Sequence, residues 1–192
     1  VGKRRRRAVL DSLTGLANRD RLMDRLTALL DRDTQVALLY IDLDGFKPIN
    51  DIFGHEAGDK VLRHVADVLK ATVRRTETAA RWGGDEFVVL LEGEGVQLGA
   101  RRVAKAVLRG MRDLSTAWKK PLGASIGFAV SKPGEASDAL VQRADAAMYR
   151  AKRRGGNRIV EARLTPKREP LRFRERVTHL GPPVCEVFAE GQ

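Results

Sequence analysis

The chain carries a single cysteine, Cys185, among 192 residues. No disulfide can close within it, which suits a reducing compartment. Aromatic residues are only 5% of the composition. A platform for nucleic acid, with rings interleaved among arginines, would need more of them. No apolar run approaches the roughly 20 residues that span a bilayer. The basic start, VGKRRRRAVLDSL, meets Asp11 too early in its apolar stretch to be a signal peptide. No Cys/His cluster has zinc-ligand spacing. Acidic residues are outnumbered, 25 Asp and Glu against 36 Lys and Arg, for a net charge of +11. That balance favours anionic partners without choosing among nucleotides, nucleic acid and a membrane surface.

A hydrophobic fraction of 43% is enough for a proper core. The length fits one domain plus tails. We assign residues 9–162 to the domain, 1–8 to a basic linker and 163–192 to a loosely ordered tail rich in Pro, Arg and Glu. The run Lys3 to Arg7 reads as a solvated charge run or as the cytoplasmic flank of a preceding membrane helix.

Leu22, Leu26, Leu29 and Leu30 recur at i, i+4, i+7 and i+8, predicting a helix with one buried face. Val36 to Ile41 is short and continuously apolar, like a strand covered on both faces, and it ends at Asp42. Val61, Leu62, Val65, Val68 and Leu69 mark a second helix. Gly83-Gly84-Asp85 before the apolar run Phe87 to Leu91 predicts a hairpin turn. Val103, Val107, Met111 and Leu114 mark a third helix, and Ser125 to Val130 a strand. Leu140, Ala144, Ala147, Met148 and Ala151 mark a fourth helix, and Ile159-Val160 a last short strand. Helices alternating with buried strands predict an α/β domain, a central sheet covered by helices.

Asp42 ends a buried strand and Asp44 follows two residues later, while Asp85 and Glu86 sit in the predicted turn. Carboxylates where strands leave a core can converge on a hard cation. Magnesium is typically held by one or two carboxylates plus substrate phosphates. One such acid is explained as well by the polarity of strand ends. Two acidic pairs, each abutting a strongly apolar strand, weaken that explanation without removing it. Gly83 and Gly84 fit either an ordinary turn or a close approach of backbone to ligand.

Five segments occur in order: DSLTGLANRDRL from Asp11, IDLDGFKPINDIFGHEAGDKVLRHVA from Ile41, RWGGDEF from Arg81, SIGFAV from Ser125 and ADAAMYRAKRRGGN from Ala144. Their order and spacing resemble the GGDEF family of diguanylate cyclases, over about Ala8 to Val160. The resemblance implies a polymerase-palm, nucleotidyl cyclase-like fold, with a central, mainly antiparallel sheet of about five strands wrapped by helices. It also implies condensation of two GTP into cyclic di-GMP and two pyrophosphates with Mg2+ or Mn2+. Each domain would hold one GTP and face a second domain.

Carried over residue by residue, the resemblance assigns metal binding to Asp42, the Leu43 carbonyl, Asp85 and Glu86, with Asp85 and Glu86 also activating the attacking hydroxyl. Asn50 and Asp59 match a guanine-reading pair. An ionised carboxylate only accepts hydrogen bonds, and guanine offers two adjacent donors where adenine offers none. Helix N-terminal capping or pairing with the helix dipole is the competing role for Asp59. Phe46, Lys47, Gly83, Gly84 and Lys152 match phosphate or substrate contacts, although either lysine also fits a solvated surface charge. His55 matches a histidine beside the base, for which we expect a packed, hydrogen-bonded role.

Two positions depart from the family pattern. An arginine often precedes the asparagine matching Asn157, where it helps bind terminal phosphates; here it is Gly156, with Arg154 or Arg158 as substitutes. The product-inhibition site, Arg-x-x-Asp, here aligns with Arg74 and Glu77, so feedback is expected to be weakened or absent. The rival readings are a catalytically silent GTP-binding regulator and, more distantly, a basic nucleic-acid-binding module. One domain supplies one GTP pocket, so catalysis requires two chains. The +11 charge and the lack of a long heptad-patterned helix predict a transient, substrate-bridged homodimer. A sensory or membrane domain upstream, a cytoplasmic location and no nucleic-acid partner complete the expectations.

Overall fold

The structure, a computed structural model, describes residues 9–162; the expectations for residues 1–8 and 163–192 lie outside these. The elements in chain order are α1 (Arg19–Leu30), β1 (Val36–Asp44), α2 (Phe46–Phe53), α3 (His55–Thr72), β2 (Thr78–Gly83), β3 (Glu86–Glu92), α4 (Val96–Trp118), β4 (Gly123–Val130), α5 (Ser137–Arg153) and β5 (Arg158–Glu161). Among the described residues, no helix is long and apolar enough to cross a membrane.

The strands form one sheet in the order β2-β3-β1-β4-β5. Every neighbouring pair is antiparallel except β4–β5. A parallel pair needs a long crossover, and α5 supplies it. The sheet is thus the mainly antiparallel, five-stranded one that the resemblance implies. Periodicity alone does not supply its order.

β1 is central, and all its residues from Val36 to Leu43 are buried, which is why its sequence is continuously apolar rather than alternating. Leu39, Ile41 and Leu43 face α2, α3 and α4, packing with Ile49, Val61, Val65, Val103 and Val107. Leu38 and Tyr40 face α1 and α5, with Leu22, Leu26, Leu140 and Met148. Asn18 caps α1, its side chain accepting from the Arg21 amide at 3.0 Å. Leu29 and Leu30 are only partly buried, because α1 ends there.

α5 lies directly on the β4 backbone. A Cβ on Gly127 would come within 2.0 Å of the Met148 amide nitrogen and 2.2 Å of the Ala144 carbonyl oxygen. Ala144, Ala147 and Ala151 give α5 a small buried face for this approach. The contact brings the end of α5 to the end of β1.

Three elements differ from the periodicity reading. β1 continues two residues past Asp42, because Leu43 still packs into the core and Asp44 still pairs with Gly123. α2 is a helix where periodicity marked no element; it buries just Ile49, so it leaves almost no apolar period to detect. β2 precedes the turn as a full strand, yet its buried residues, Ala79 and Ala80, are too small to stand out as an apolar run.

Candidate active site

Register places the acids. Glu86 on β3 is the direct partner of Asp42 on β1, and Asp42 is the direct partner of Ser125 on β4. Ser125 in turn pairs with Arg158 on β5. Directly paired residues share a face, so these side chains form one row across the end of the sheet. Asp85 joins from the turn, its carbonyl accepting from the Leu43 amide at 3.3 Å. Asp42 is buried and accepts from Lys152 Nζ at 2.8 Å. That hydrogen bond, with the charges of Asp42, Asp44 and Asp85, raises the Lys152 pKa against the opposing effect of burial. Burial pushes the Asp85 carboxyl up, and the charge of Asp42 adds to it. Burial also raises Glu86, partly offset by a hydrogen bond from Tyr40 and reinforced by Asp42, Asp85 and Asp145.

These carboxylates repel one another, which a cation would relieve. They do not close into a full coordination sphere: among the described residues, no group of three or more His, Cys, Asp or Glu is assembled to hold a metal by itself. An open, carboxylate-poor set fits magnesium that completes its shell with phosphates and water.

Of the two acids ending β1, Asp44 has a different task. Its carboxylate accepts from Ser125 Oγ at 2.9 and 3.1 Å and from the Asn157 amide at 2.7 Å. It ties the β1 end to the loop before β5. A Cβ on Gly156, at φ +68°, would lie 2.6 Å from Asp44 Oδ2, so an arginine there would be strained in its backbone and would displace the Asp44 carboxylate. Arg158 lies on that row, with Nε donating to the Gly156 carbonyl at 2.9 Å, whereas Arg154 lines a cavity elsewhere.

The signature turn joins β2 to β3 as a hairpin, with Gly84 at φ +48°. Cβ atoms added at Gly83 or Gly84 would meet nothing within 4 Å, so the turn's backbone is open to a ligand. Arg81 braces it from behind, donating to the Gly84 carbonyl and pairing with Asp11 at 3.4 Å. Asp11 also accepts from the Thr14 amide at 2.9 Å and hydroxyl at 2.7 Å. Burial works to raise the Asp11 pKa, but the Thr14 bonds and the Arg81 charge outweigh it and hold it low. Trp82 lies edge-on to Tyr40, 6.0 Å between centroids, and under the Arg19 guanidinium at 4.7 Å.

The base-reading candidates sit on α2 and α3. A Cβ on Gly58 would fall 1.9 Å from Asn50 Oδ1 and 3.1 Å from Phe46 Cζ, so Asn50 lies over Gly58, next to Asp59. α3 starts at His55 with Gly54 as its cap. Asp59 is therefore in the second turn, where it cannot cap, and the capping role falls away. It pairs loosely with Arg63 at 3.7 Å and stays half exposed. Lys47 is exposed on the first turn of α2. His55, the first residue of α3, is also exposed, contrary to the packed role expected.

Arg74 and Glu77 do meet, but as structure. Glu77 Oε2 accepts from the Arg74 amide at 2.6 Å, and its side chain, 6% exposed, pairs with Arg102 at 3.3 Å.

Sequence reading gave no role to Tyr40, Arg81, Asp11 or Asp145. Arg81 and Asp11 lie within quoted segments, but 70 residues separate them and no spacing announces their contact.

Residues 8–158 match the family "Diguanylate cyclase, GGDEF domain". The chain is 40% identical over 162 residues to diguanylate cyclase DgcP of Pseudomonas aeruginosa, covering 81% of this chain and 24% of that protein. It is 41% identical over 156 residues to the bifunctional diguanylate cyclase/cyclic di-GMP phosphodiesterase MucR of the same species, covering 78% and 23%. It thus spans about a quarter of the length of these relatives. The GGDEF domain of DgcB from Caulobacter crescentus, solved in complex with c-di-GMP, superposes with a TM-score of 0.70 at 35% identity, covering 82% of this chain and 98% of that one. With residues 8–158 matched and the same five-stranded architecture, this chain belongs to the GGDEF family of diguanylate cyclase domains.

Proposed function

We propose that this chain condenses two molecules of GTP into cyclic di-GMP and two pyrophosphates. The observation that carries the reading is the placement of Asp42, Asp85 and Glu86 at one end of the sheet, near enough for their charges to raise one another's proton affinity, beside the Lys152 ammonium. Asp42, the Leu43 carbonyl, Asp85 and Glu86 would hold magnesium or manganese, which when bound lowers the pKa of the 3′-hydroxyl and neutralises charge on pyrophosphate.

The chain's own groups do the rest. Asp85 and Glu86, their proton affinity raised by burial and mutual repulsion, are suited to accept the hydroxyl proton. Lys152, half exposed at its end, exchanges Asp42 for phosphate oxygens as substrate enters. Lys47 offers a second ammonium from the start of α2, beside Phe46. Gly83 and Gly84 let phosphates approach the turn's amides. Asp59 accepts from guanine N1–H and the 2-amino group, with Asn50 beside it. Each chain supplies one such pocket, so two chains face each other in a transient, substrate-bridged dimer.

The test is a product assay with GTP and magnesium over a series of protein concentrations. Cyclic di-GMP should form, with specific activity per chain rising as dimers accumulate. Asp42→Ala and Asp85→Ala should each abolish turnover, a loss of at least about 10³-fold, while leaving the circular dichroism spectrum unchanged. A folded parent without product, or either variant at full activity, overturns the reading.

A further inference from the structure

We propose a second anion site, built from arginines on the side of α5 away from the reaction centre, that binds a polyphosphate chain, either free or carried by a nucleotide. A cavity of about 630 Å3 lies between α5, β5 and the start of α4, lined by Arg101, Arg143, Arg150 and Arg154. Its floor is Ala146, Ile159 and Val160, and its one acid is Glu161.

Arg143 and Arg150 on α5 and Arg154, its C-cap, fall at i, i+7 and i+11, which is one stripe of the helix. Lys152 lies two residues from both Arg150 and Arg154, about 200° around the helix, and points to Asp42. The two sites therefore use opposite sides of one helix.

Two of the four guanidiniums are fixed. Arg143 donates to Glu135 at 2.7 Å from both Nε and Nη2, and to the Val130 carbonyl at 2.6 Å. Arg101 pairs with Glu161 at 2.6 Å and stacks over Phe128 at 5.6 Å. Glu161 is also held by Gln97 at 2.5 Å. Arg150 and Arg154 make no side-chain hydrogen bond or ion pair among the described residues. The cavity thus keeps two fork-shaped donors in reserve beside two that are already placed. Bidentate guanidinium groups match phosphate oxygens, and the volume is that of an ordinary small-ligand site.

A basic helix C-terminus is favoured by the helix dipole alone. That accounts for Arg150 but not for Arg143, two turns earlier, or for Arg101 from another helix. The chain's own residues 163–192 are a poor occupant, since they carry six Lys and Arg against four Asp and Glu.

Calorimetric titration of the full chain at physiological salt tests the site, with inorganic triphosphate and ATP as separate probes. Both should bind the parent, and an equal affinity for the two would identify the phosphate chain alone as the ligand. Tighter binding of ATP would add the base, seated on Ile159 and Val160. Arg150→Ala/Arg154→Ala should weaken binding at least tenfold, while Lys47→Ala/Lys152→Ala retains it. Loss of binding only in the lysine pair would place the anion at the reaction centre and overturn the proposal. So would an equal loss in Arg32→Ala/Arg112→Ala, which removes the same charge elsewhere. Binding of an oligoglutamate peptide but neither phosphate probe would make the groove an acidic-peptide surface instead. Because GTP turnover is not the readout, failure here leaves the cyclase assignment intact, and the reverse also holds.

Discussion

The Arg81 guanidinium reaches around the signature turn and donates to the Gly84 carbonyl from Nε at 3.0 Å and from Nη2 at 2.8 Å, while its Nη1 lies 3.4 Å from Asp11. The turn itself has no packing on its outer side, since no atoms approach Gly83 or Gly84 there. Its position therefore depends on this bond, on the β2–β3 ladder and on the Leu43 amide that donates to the Asp85 carbonyl. Arg81→Ala should lower kcat on the order of 10²-fold, because small displacements of reacting groups cost that much. Asp11→Asn should lower it less, since the bonds to Gly84 remain. Steady-state kinetics beside a thermal melt will separate lost positioning from lost folding; a melt lowered in step with kcat would refute the positioning role.

Asp59 has no packing duty that its removal would disturb, being half exposed and only loosely paired with Arg63. Asp59→Ala should weaken GTP binding by about 1.5–3 kcal/mol, the worth of a charge-assisted hydrogen bond. That is roughly tenfold to over a hundredfold in Kd. ATP affinity should change little. Unchanged GTP affinity in the variant would remove guanine reading from Asp59.

Glu77 is committed to the fold. It closes the turn at Arg74 and holds Arg102, which also donates to the Thr72 carbonyl. A carboxylate so engaged is poorly placed to take up product. Glu77→Ala should destabilise the chain by about 0.5–1.5 kcal/mol in urea unfolding, because the Arg74 amide and the Arg102 guanidinium lose their carboxylate partner. Cyclic di-GMP should inhibit the parent weakly through this site. Tight product binding that disappears in Arg74→Ala would show the opposite.

Glu135 provides a pH test distant from the reaction centre. Burial works to raise its pKa, but bonds from Arg143 and the Lys132 amide outweigh this and hold it below its ordinary value of 4.5. A carboxyl depressed in the folded state contributes stability that is present above its unfolded pKa and is lost as pH falls through its folded pKa. Glu135→Gln should cost about 1.5–3 kcal/mol at pH 7. The difference from the parent should shrink once pH drops below about 4.5. Urea unfolding at pH 7 and pH 3.5 measures it, and a gap independent of pH would assign the loss to packing instead.

Sequence alone determined much of this protein. The apolar runs of β1, β3 and β4 and the periodic faces of α3, α4 and α5 reflect burial, and burial is written in residue type. The hairpin at Gly83 and Gly84 was legible because a tight turn constrains its own residues. The five ordered segments likewise carried the family. Tertiary structure decided the rest. α2 was hidden because it buries only Ile49, and β2 because its buried residues are small alanines. Whether Asp44 works with Asp42 or apart from it depended on Ser125, 81 residues away. Glu77 became a structural group only through Arg102, and Asp59 lost its capping alternative only when α3 proved to start at His55. The contact of Arg81 with Asp11, and of Lys152 with Asp42, joins residues 70 and 110 positions apart. Such contacts depend on how elements pack in space, and local spacing carries no record of them.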